Sequence, residues 1–253
     1  MKNPHLMSRS RRYKKNMDME SRILTPEIKS KIISWIRGAF LGMIGYSFLL
    51  ILASGKWDWV WGWVYMIVFT LAMAAHVVVL VPVNPSLLAD RAGGLRQSRA
   101  KQWDIWLVII ASLAAFAIAI IAGSDERWGW TGAISMGWHV AGIILSVIGW
   151  GFFLWAMASN PFFSESVRIQ ENHRVASRGP YRLVRHPGYL GNVIGCIGQP
   201  LLFGSWWAFI PALLTIIAFV VRTALEDKTL QKELDGYVEY ARQVRSRLVP
   251  GIW

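Results

Sequence analysis

The sequence predicts an all-α fold: a polytopic membrane helical bundle of about six transmembrane segments, the last two a helical hairpin, with a C-terminal amphipathic helix closing a pocket on the cytosolic side. Three observations predict it. Of 253 residues, 54% are hydrophobic, too many for an ordinary soluble domain of this length. The apolar residues gather in blocks over 32–53, 59–81, 103–123, 130–158, 189–203 and 206–221. Several of these reach about 20 residues, enough to cross a hydrocarbon core of roughly 30 Å. Finally, 24 of the 27 Lys and Arg residues fall in the terminal regions and in alternate connections, the asymmetry that sets membrane topology.

In chain order, residues 1–24 form a polar, basic tail with no apolar stretch of signal-peptide type, and disorder is expected there. Thr25-Pro26-Glu27 reads as a helix start, a capping hydroxyl followed by proline at the first helical position. Residues 25–158 make a four-helix transmembrane region, in which Arg37 is placed to snorkel toward the basic side. Trp57, Trp59, Trp61 and Trp63 flank the second segment, Trp128 and Trp130 the fourth, and Trp206 and Trp207 the sixth. Amphipathic rings in such positions are interface anchors; stacking on a ligand is the alternative. His76 and His139, each alone in an apolar segment, read as hydrogen-bonded packing residues. Residues 84–101 form a polar inner loop with a flexible Gly93-Gly94. Residues 159–253 make the C-terminal region, where Gly204-Ser205 alone separates the last two apolar blocks.

Nine Lys and Arg lie in residues 1–31, four in 82–102, five in 159–188 and six in 222–253, whereas 54–58 and 124–129 hold only Lys56 and Arg127. Both termini are therefore expected in the cytoplasm, and the short loops suit a bacterial inner membrane. The net charge of +12 is then topological, and there is no basic soluble domain to bind nucleic acid. The single Cys196 excludes an intramolecular disulfide and a multi-cysteine metal site; no metal and no obligate protein partner is assigned.

The chemistry is expected after residue 160. The run from Arg178 to Gly191 concentrates arginines, His186, two prolines and three glycines at the mouth of an apolar block. A basic loop that holds lipid headgroups is the plainer explanation. Beyond the hairpin, Arg222 and Glu226 are four residues apart and share a helix face, and Glu226-Asp227 sets two carboxylates at the membrane boundary. Leu230, Leu234, Tyr237, Ala241, Val244 and Leu248 then recur at helical spacing, with Asp235-Gly236 as a possible bend. Folded back over the basic loop, this tail would close a polar pocket.

Gly179-Pro180-Tyr181, Arg185-His186-Pro187-Gly188-Tyr189-Leu190-Gly191, Arg222, Glu226-Asp227, Leu230, Tyr237, Tyr240, Val244 and Arg247-Leu248-Val249-Pro250 together resemble the integral-membrane methyltransferases related to isoprenylcysteine carboxyl methyltransferase. The resemblance covers residues 160–253. It implies S-adenosyl-L-methionine as cofactor, held by the C-terminal half, and a lipophilic acceptor arriving from the bilayer. It assigns Arg185, His186 and Arg222 to catalysis, and Tyr181, His186, Tyr189, Leu190, Glu226, Asp227 and Tyr237 to cofactor binding. Glu226 would hold the cofactor's ammonium or ribose hydroxyls and Arg185 its carboxylate, through paired hydrogen bonds. His186 would position the cofactor or take a proton from an amine or thiol. Where the family has paired glutamates this chain has Glu226-Asp227, and Asp227 is one methylene shorter.

Two other functions fit the same residues. Membrane sterol reductases carry a similar arginine–histidine–proline loop for a nicotinamide cofactor, although the acidic Glu226-Asp227 pair disfavours a 2′-phosphate beside it. A non-enzymatic lipid-binding protein is the second. The methyl acceptor stays open among a carboxylate such as a prenylated cysteine, a phospholipid amine, an isoprenoid or quinone-like lipid, and a small thiol.

Overall fold

Thr25 starts the first membrane helix as its sequence predicts, with Oγ1 accepting the amide of Ile28 at 3.2 Å and Pro26 in the first turn. The computed structural model describes residues 24–91 and 101–253; the rest of the expected disordered tail, and Gly93-Gly94, lie outside the described residues. Helices α1 (Pro26–Ser54), α2 (Val60–Val83), α3 (Pro85–Arg91), α4 (Gln102–Trp128) and α5 (Met136–Ser159) precede a 3-10 turn (Gly179–Arg182), and α6 (Pro187–Phe203), α7 (Phe209–Glu233) and α8 (Tyr237–Gln243) follow it. Helices α1, α2, α4, α5 and α7 are long and apolar enough to cross a membrane. Helix α6 has 17 residues, about 25 Å of rise. It is the short arm of the predicted hairpin, turned by Gly204 at φ +78°.

Two segments differ from expectation. The 84–101 connection is not simply a polar loop. It opens with α3, whose Leu87 and Leu88 are buried against Ile32, Leu80 and Met157. The C-terminal apolar pattern is also not one amphipathic helix. Helix α7 runs unbroken to Glu233 and the chain turns at Gly236, with φ +81°, a conformation that ends helices and favours glycine. Helix α8 then covers only Tyr237–Gln243, and Val244 and Leu248 lie beyond it.

At the tryptophan-rich face, Trp57, Trp128, Trp130, Trp206 and Trp207 are exposed as anchors. Trp59 instead turns inward onto Phe203, and Trp61 stacks on His139 with centroids 3.7 Å apart. His139 Nδ1 donates to the Leu202 carbonyl at 2.8 Å. Asp125, at the end of α4, ties this face together by accepting from the Thr131 amide at 2.7 Å and from the Ser205 hydroxyl.

Helix α6 lies against α5 backbone to backbone. A Cβ at Gly191 would sit 2.6 Å from the Gly149 carbonyl oxygen, and one at Gly142 2.1 Å from the Leu202 amide nitrogen. In lipid, where burial between helices gains little from the hydrophobic effect, such close approach is a main source of association. This packing fixes the start of α6, and with it the basic loop. We expect Gly191→Val to destabilise the protein by about 1–3 kcal/mol, the usual cost of overpacking, read as a lower unfolding temperature in detergent.

Candidate active site

The site grows from the basic-face end of α5. Asn160 caps that end, donating from Nδ2 to the Tyr181 hydroxyl at 3.2 Å and accepting the Phe162 amide at 2.9 Å. The loop returns at Gly179, with φ +58° and so little room that a Cβ would lie 2.4 Å from Ser159 Oγ. Pro180 is the second residue of the 3-10 turn and Pro187 the first of α6, positions where a missing amide hydrogen costs nothing. Between them, Arg185 and His186 lie outside both helices. Their amides donate to the Ser246 and Arg247 carbonyls, both at 3.0 Å, so the C-terminal segment is laced directly onto the basic loop.

Asp227 joins these pieces. Its side chain is fully buried, with Arg185 Nε 2.8 Å from Oδ1. Oδ2 accepts from Arg185 Nη2 at 3.1 Å, Arg247 Nε at 2.9 Å and Gln231 Nε2 at 2.7 Å. The Tyr237 hydroxyl donates to Oδ1 at 2.9 Å. Burial, reinforced by the negative charge of Asp227, raises the Tyr237 phenol well above its ordinary range, so it stays a donor. Arg185 also donates through Nη1 to the Ala241 and Val244 carbonyls, at 3.3 and 3.2 Å. A second buried pair stands across the site. Arg222 grips Asp104 at 2.6 Å (Nε–Oδ1) and 3.2 Å (Nη2–Oδ2), and also donates to the Glu165 carbonyl at 2.5 Å.

These elements line a cavity of about 440 Å³. Tyr181, Arg185, His186, Tyr189, Arg222, Glu226 and Tyr237 all line it, so seven residues singled out in sequence converge. Leu190 and Asp227 do not line it. Leu190 is on α6 outside the cavity wall, and Asp227 lies behind that wall with its oxygens engaged by Arg185, Arg247, Tyr237 and Gln231 and with His186 Nε2 3.4 Å from Oδ1. Arg222 and Glu226 share a face as expected but have different partners, since Glu226 Oε2 accepts the Tyr189 hydroxyl. The Tyr189 ring stacks on His186 at 5.8 Å, and Arg222 lies over it at 5.1 Å.

Other residues of the site are not visible in the sequence motif. Asp104 is 118 positions from Arg222. Its one sequence signal is an acid at the edge of an apolar block, where ionisable groups are rarely idle. Arg91 and Arg168 line the cavity, each with a buried Nε that has no partner among the described residues. Arg91 packs over Phe153 and Phe163. His173, also on the wall, stacks on Phe162 at 4.8 Å, and burial lowers its proton affinity. Acidification therefore protonates the unfolded chain first. The contribution of a neutral His173 is fully present above about pH 6.5 and is lost as pH falls through its lower folded value. His173→Phe should narrow the difference in unfolding temperature between pH 7.5 and 5.5.

A second cavity, of about 210 Å³, lies inside the bundle between α4, α5, α6 and α7. It is lined largely by apolar groups, with Asn192 and Gln199 among them, and shares Val108, Phe153, Asn192, Phe219 and Arg222 with the first.

Residues 142–232 match the model of the isoprenylcysteine carboxyl methyltransferase (ICMT) family. A probable protein-S-isoprenylcysteine O-methyltransferase of Oryza sativa subsp. indica is 27% identical over 118 residues, covering 44% of this chain and 62% of that protein. Protein-S-isoprenylcysteine O-methyltransferase B of Arabidopsis thaliana is 35% identical over 83 residues, 32% of this chain and 42% of its own. The cobalt-zinc-cadmium resistance protein CzcN of Cupriavidus metallidurans is 26% identical over 147 residues, 55% of this chain and 59% of its own. The chain thus spans less than two thirds of the length of each of these curated relatives.

Proposed function

We propose, from the premise that this chain carries an isoprenylcysteine carboxyl methyltransferase-like membrane core over residues 142–232, that it is an S-adenosylmethionine-dependent methyltransferase. Its acceptor is lipophilic and carries a carboxylate, amine or thiol. The supporting observation is the junction of two cavities, one at the membrane boundary lined by charged side chains such as Arg168, Arg185 and Glu226 and one within the helices lined largely by apolar residues, meeting at Asn192 and Arg222. A charged cofactor and an acceptor drawn from the bilayer need that pairing. With the basic face in the cytoplasm of a bacterial inner membrane, the cofactor enters from the cytosol.

The residues present fit the cofactor. About 440 Å³ is within the range of small-molecule sites. Glu226 offers a carboxylate to an ammonium or to ribose hydroxyls, and Tyr181, Tyr189 and Tyr237 offer ring faces and hydroxyls. Arg185 is committed to Asp227 and to two carbonyls and Arg91 faces Glu165, with Nη1 3.6 Å from Oε1, so a carboxylate falls first to Arg168, whose buried Nε has no partner among the described residues. When bound, S-adenosylmethionine supplies a methyl group on a sulfonium, a leaving group that needs little acid assistance. The chain's own task is then alignment and exclusion of water. The C-terminal segment, laced to the basic loop, forms one side of the pocket through Tyr237 and Tyr240. For an amine or thiol acceptor, His186 is the base on the wall; a carboxylate acceptor, already ionised, needs none.

Calorimetry of the detergent-purified protein with S-adenosylhomocysteine and, separately, with NADPH tests this. Binding of the first alone is expected, and Arg168→Gln should weaken it by roughly tenfold, the worth of a charge-assisted hydrogen bond. Binding of NADPH alone would replace the proposal with a reductase built on the same loop.

A further inference from the structure

His76 sits outside the site described above, seven residues before the end of α2, about 10 Å along the helix from the basic face. It is 1% exposed. Nδ1 is 2.8 Å from the Ala72 carbonyl oxygen. A carbonyl only accepts, so Nδ1 carries the hydrogen and, in a neutral ring, Nε2 presents a lone pair. That Nε2 is buried and has no partner among the described residues. The ring is held in place edge-on to Trp150, with centroids 5.7 Å apart.

The same imidazole lines a groove of about 320 Å³ between α2 and α5. The walls are apolar, and small residues make the space: Ala72 and Ala75 on one side, Gly151 on the other. A Cβ at Gly151 would meet nothing within 4 Å. Leu71 and Val147 form an exposed rim, 65% and 54% accessible, so the groove opens sideways toward the acyl chains of a bilayer. An unmatched acceptor in such surroundings is costly, and acyl chains have no donor to satisfy it.

We propose that this groove is a lateral binding site for an apolar molecule bearing a hydroxyl, a lipophilic alcohol or phenol, which donates its hydrogen to His76 Nε2. The apolar body fills the space left by Ala72, Ala75 and Gly151. The hydroxyl answers the acceptor of His76, whose ring is among the groove's lining. The site is separate from the cofactor pocket and stands whether or not the protein is a methyltransferase.

The test uses the full chain in lipid nanodiscs and two photoreactive probes, a diazirine-bearing long-chain alcohol and its methyl ether, with crosslinks in α2 and α5 quantified by peptide mass spectrometry. The ether keeps the shape and removes the donor. The alcohol should label the groove about fivefold more than the ether, the worth of one neutral hydrogen bond. His76→Leu should bring the alcohol down to the ether's level. Gly151→Leu, which fills the groove from its exposed side, should remove labelling by both probes without changing the unfolding temperature. Equal labelling of the wild-type groove by alcohol and ether would overturn the proposal, leaving a crevice for acyl chains. So would an alcohol preference that survives His76→Leu, or labelling that survives Gly151→Leu.

Discussion

Asp227→Ala is expected to unfold the C-terminal cover while leaving the membrane helices assembled. The substitution removes the acceptor of Arg185, Arg247, Tyr237 and Gln231 together. It leaves the Arg185 guanidinium, with a side chain 7% exposed, as a buried charge without its counter-ion. Stripping one member from a buried pair costs about 3–5 kcal/mol. The loss falls on few contacts, because α8 and the segment after it are held mainly by this carboxylate, by the backbone bonds at Arg185 and His186, and by the Tyr240 hydroxyl on the Tyr181 carbonyl. Hydrogen exchange should show residues 237–248 opening first, ahead of α4 to α7. Asp227→Asn, which keeps the shape and loses the charge, should lie between wild type and alanine. Cover exchange unchanged in Asp227→Ala would mean that the apolar contacts of Leu234, Tyr237 and Tyr240 hold the cover by themselves.

Glu226→Ala, one residue earlier, is expected to give the opposite pattern. Glu226 is half-buried on the cavity wall and its partner is the Tyr189 hydroxyl. Its removal should leave the unfolding temperature nearly unchanged and weaken S-adenosylhomocysteine binding. A hydrogen bond to a charged group is worth about 1.5–3 kcal/mol, roughly 10- to 150-fold in Kd. Glu226→Gln should recover part of that, by accepting without charge. Normal affinity in Glu226→Ala would move the ammonium or ribose contact to another residue. The two neighbours therefore divide by readout, Asp227 by the stability of the cover and Glu226 by the affinity of the pocket.

That division was not legible in the adjacent letters Glu226-Asp227. On a helix, consecutive side chains diverge by about 100°, so one of the two had to leave the cavity. Which one left depended on where α7 sits against the basic loop. The same holds for Arg185. Its position at the membrane mouth pointed to a ligand carboxylate, and the fold instead gives it Asp227 and two carbonyls of the C-terminal segment. Asp104 and Arg91 belong to elements far along the chain from the motif, and only packing brings them to Arg222 and Phe163.

What the sequence by itself determined is the set of properties written in local composition and period. Block length and the placement of Lys, Arg and Trp specify the membrane helices, since hydrocarbon thickness and interfacial chemistry act on each segment separately. Thr25-Pro26 and Gly204 mark helix ends because capping and left-handed backbone are local requirements. The convergence of Tyr181, Arg185, His186, Tyr189, Arg222, Glu226 and Tyr237 on one cavity was legible because it depends on an ordered set of short spacings. The tertiary structure alone decided which of those side chains face the cavity, which counter-charge the buried Arg185 and Arg222 meet, and that His76 Nε2 is buried with no partner among the described residues. Those outcomes depend on contacts between helices distant in sequence, where the depth of burial decides whether a polar atom finds a partner in the protein or is left for a ligand.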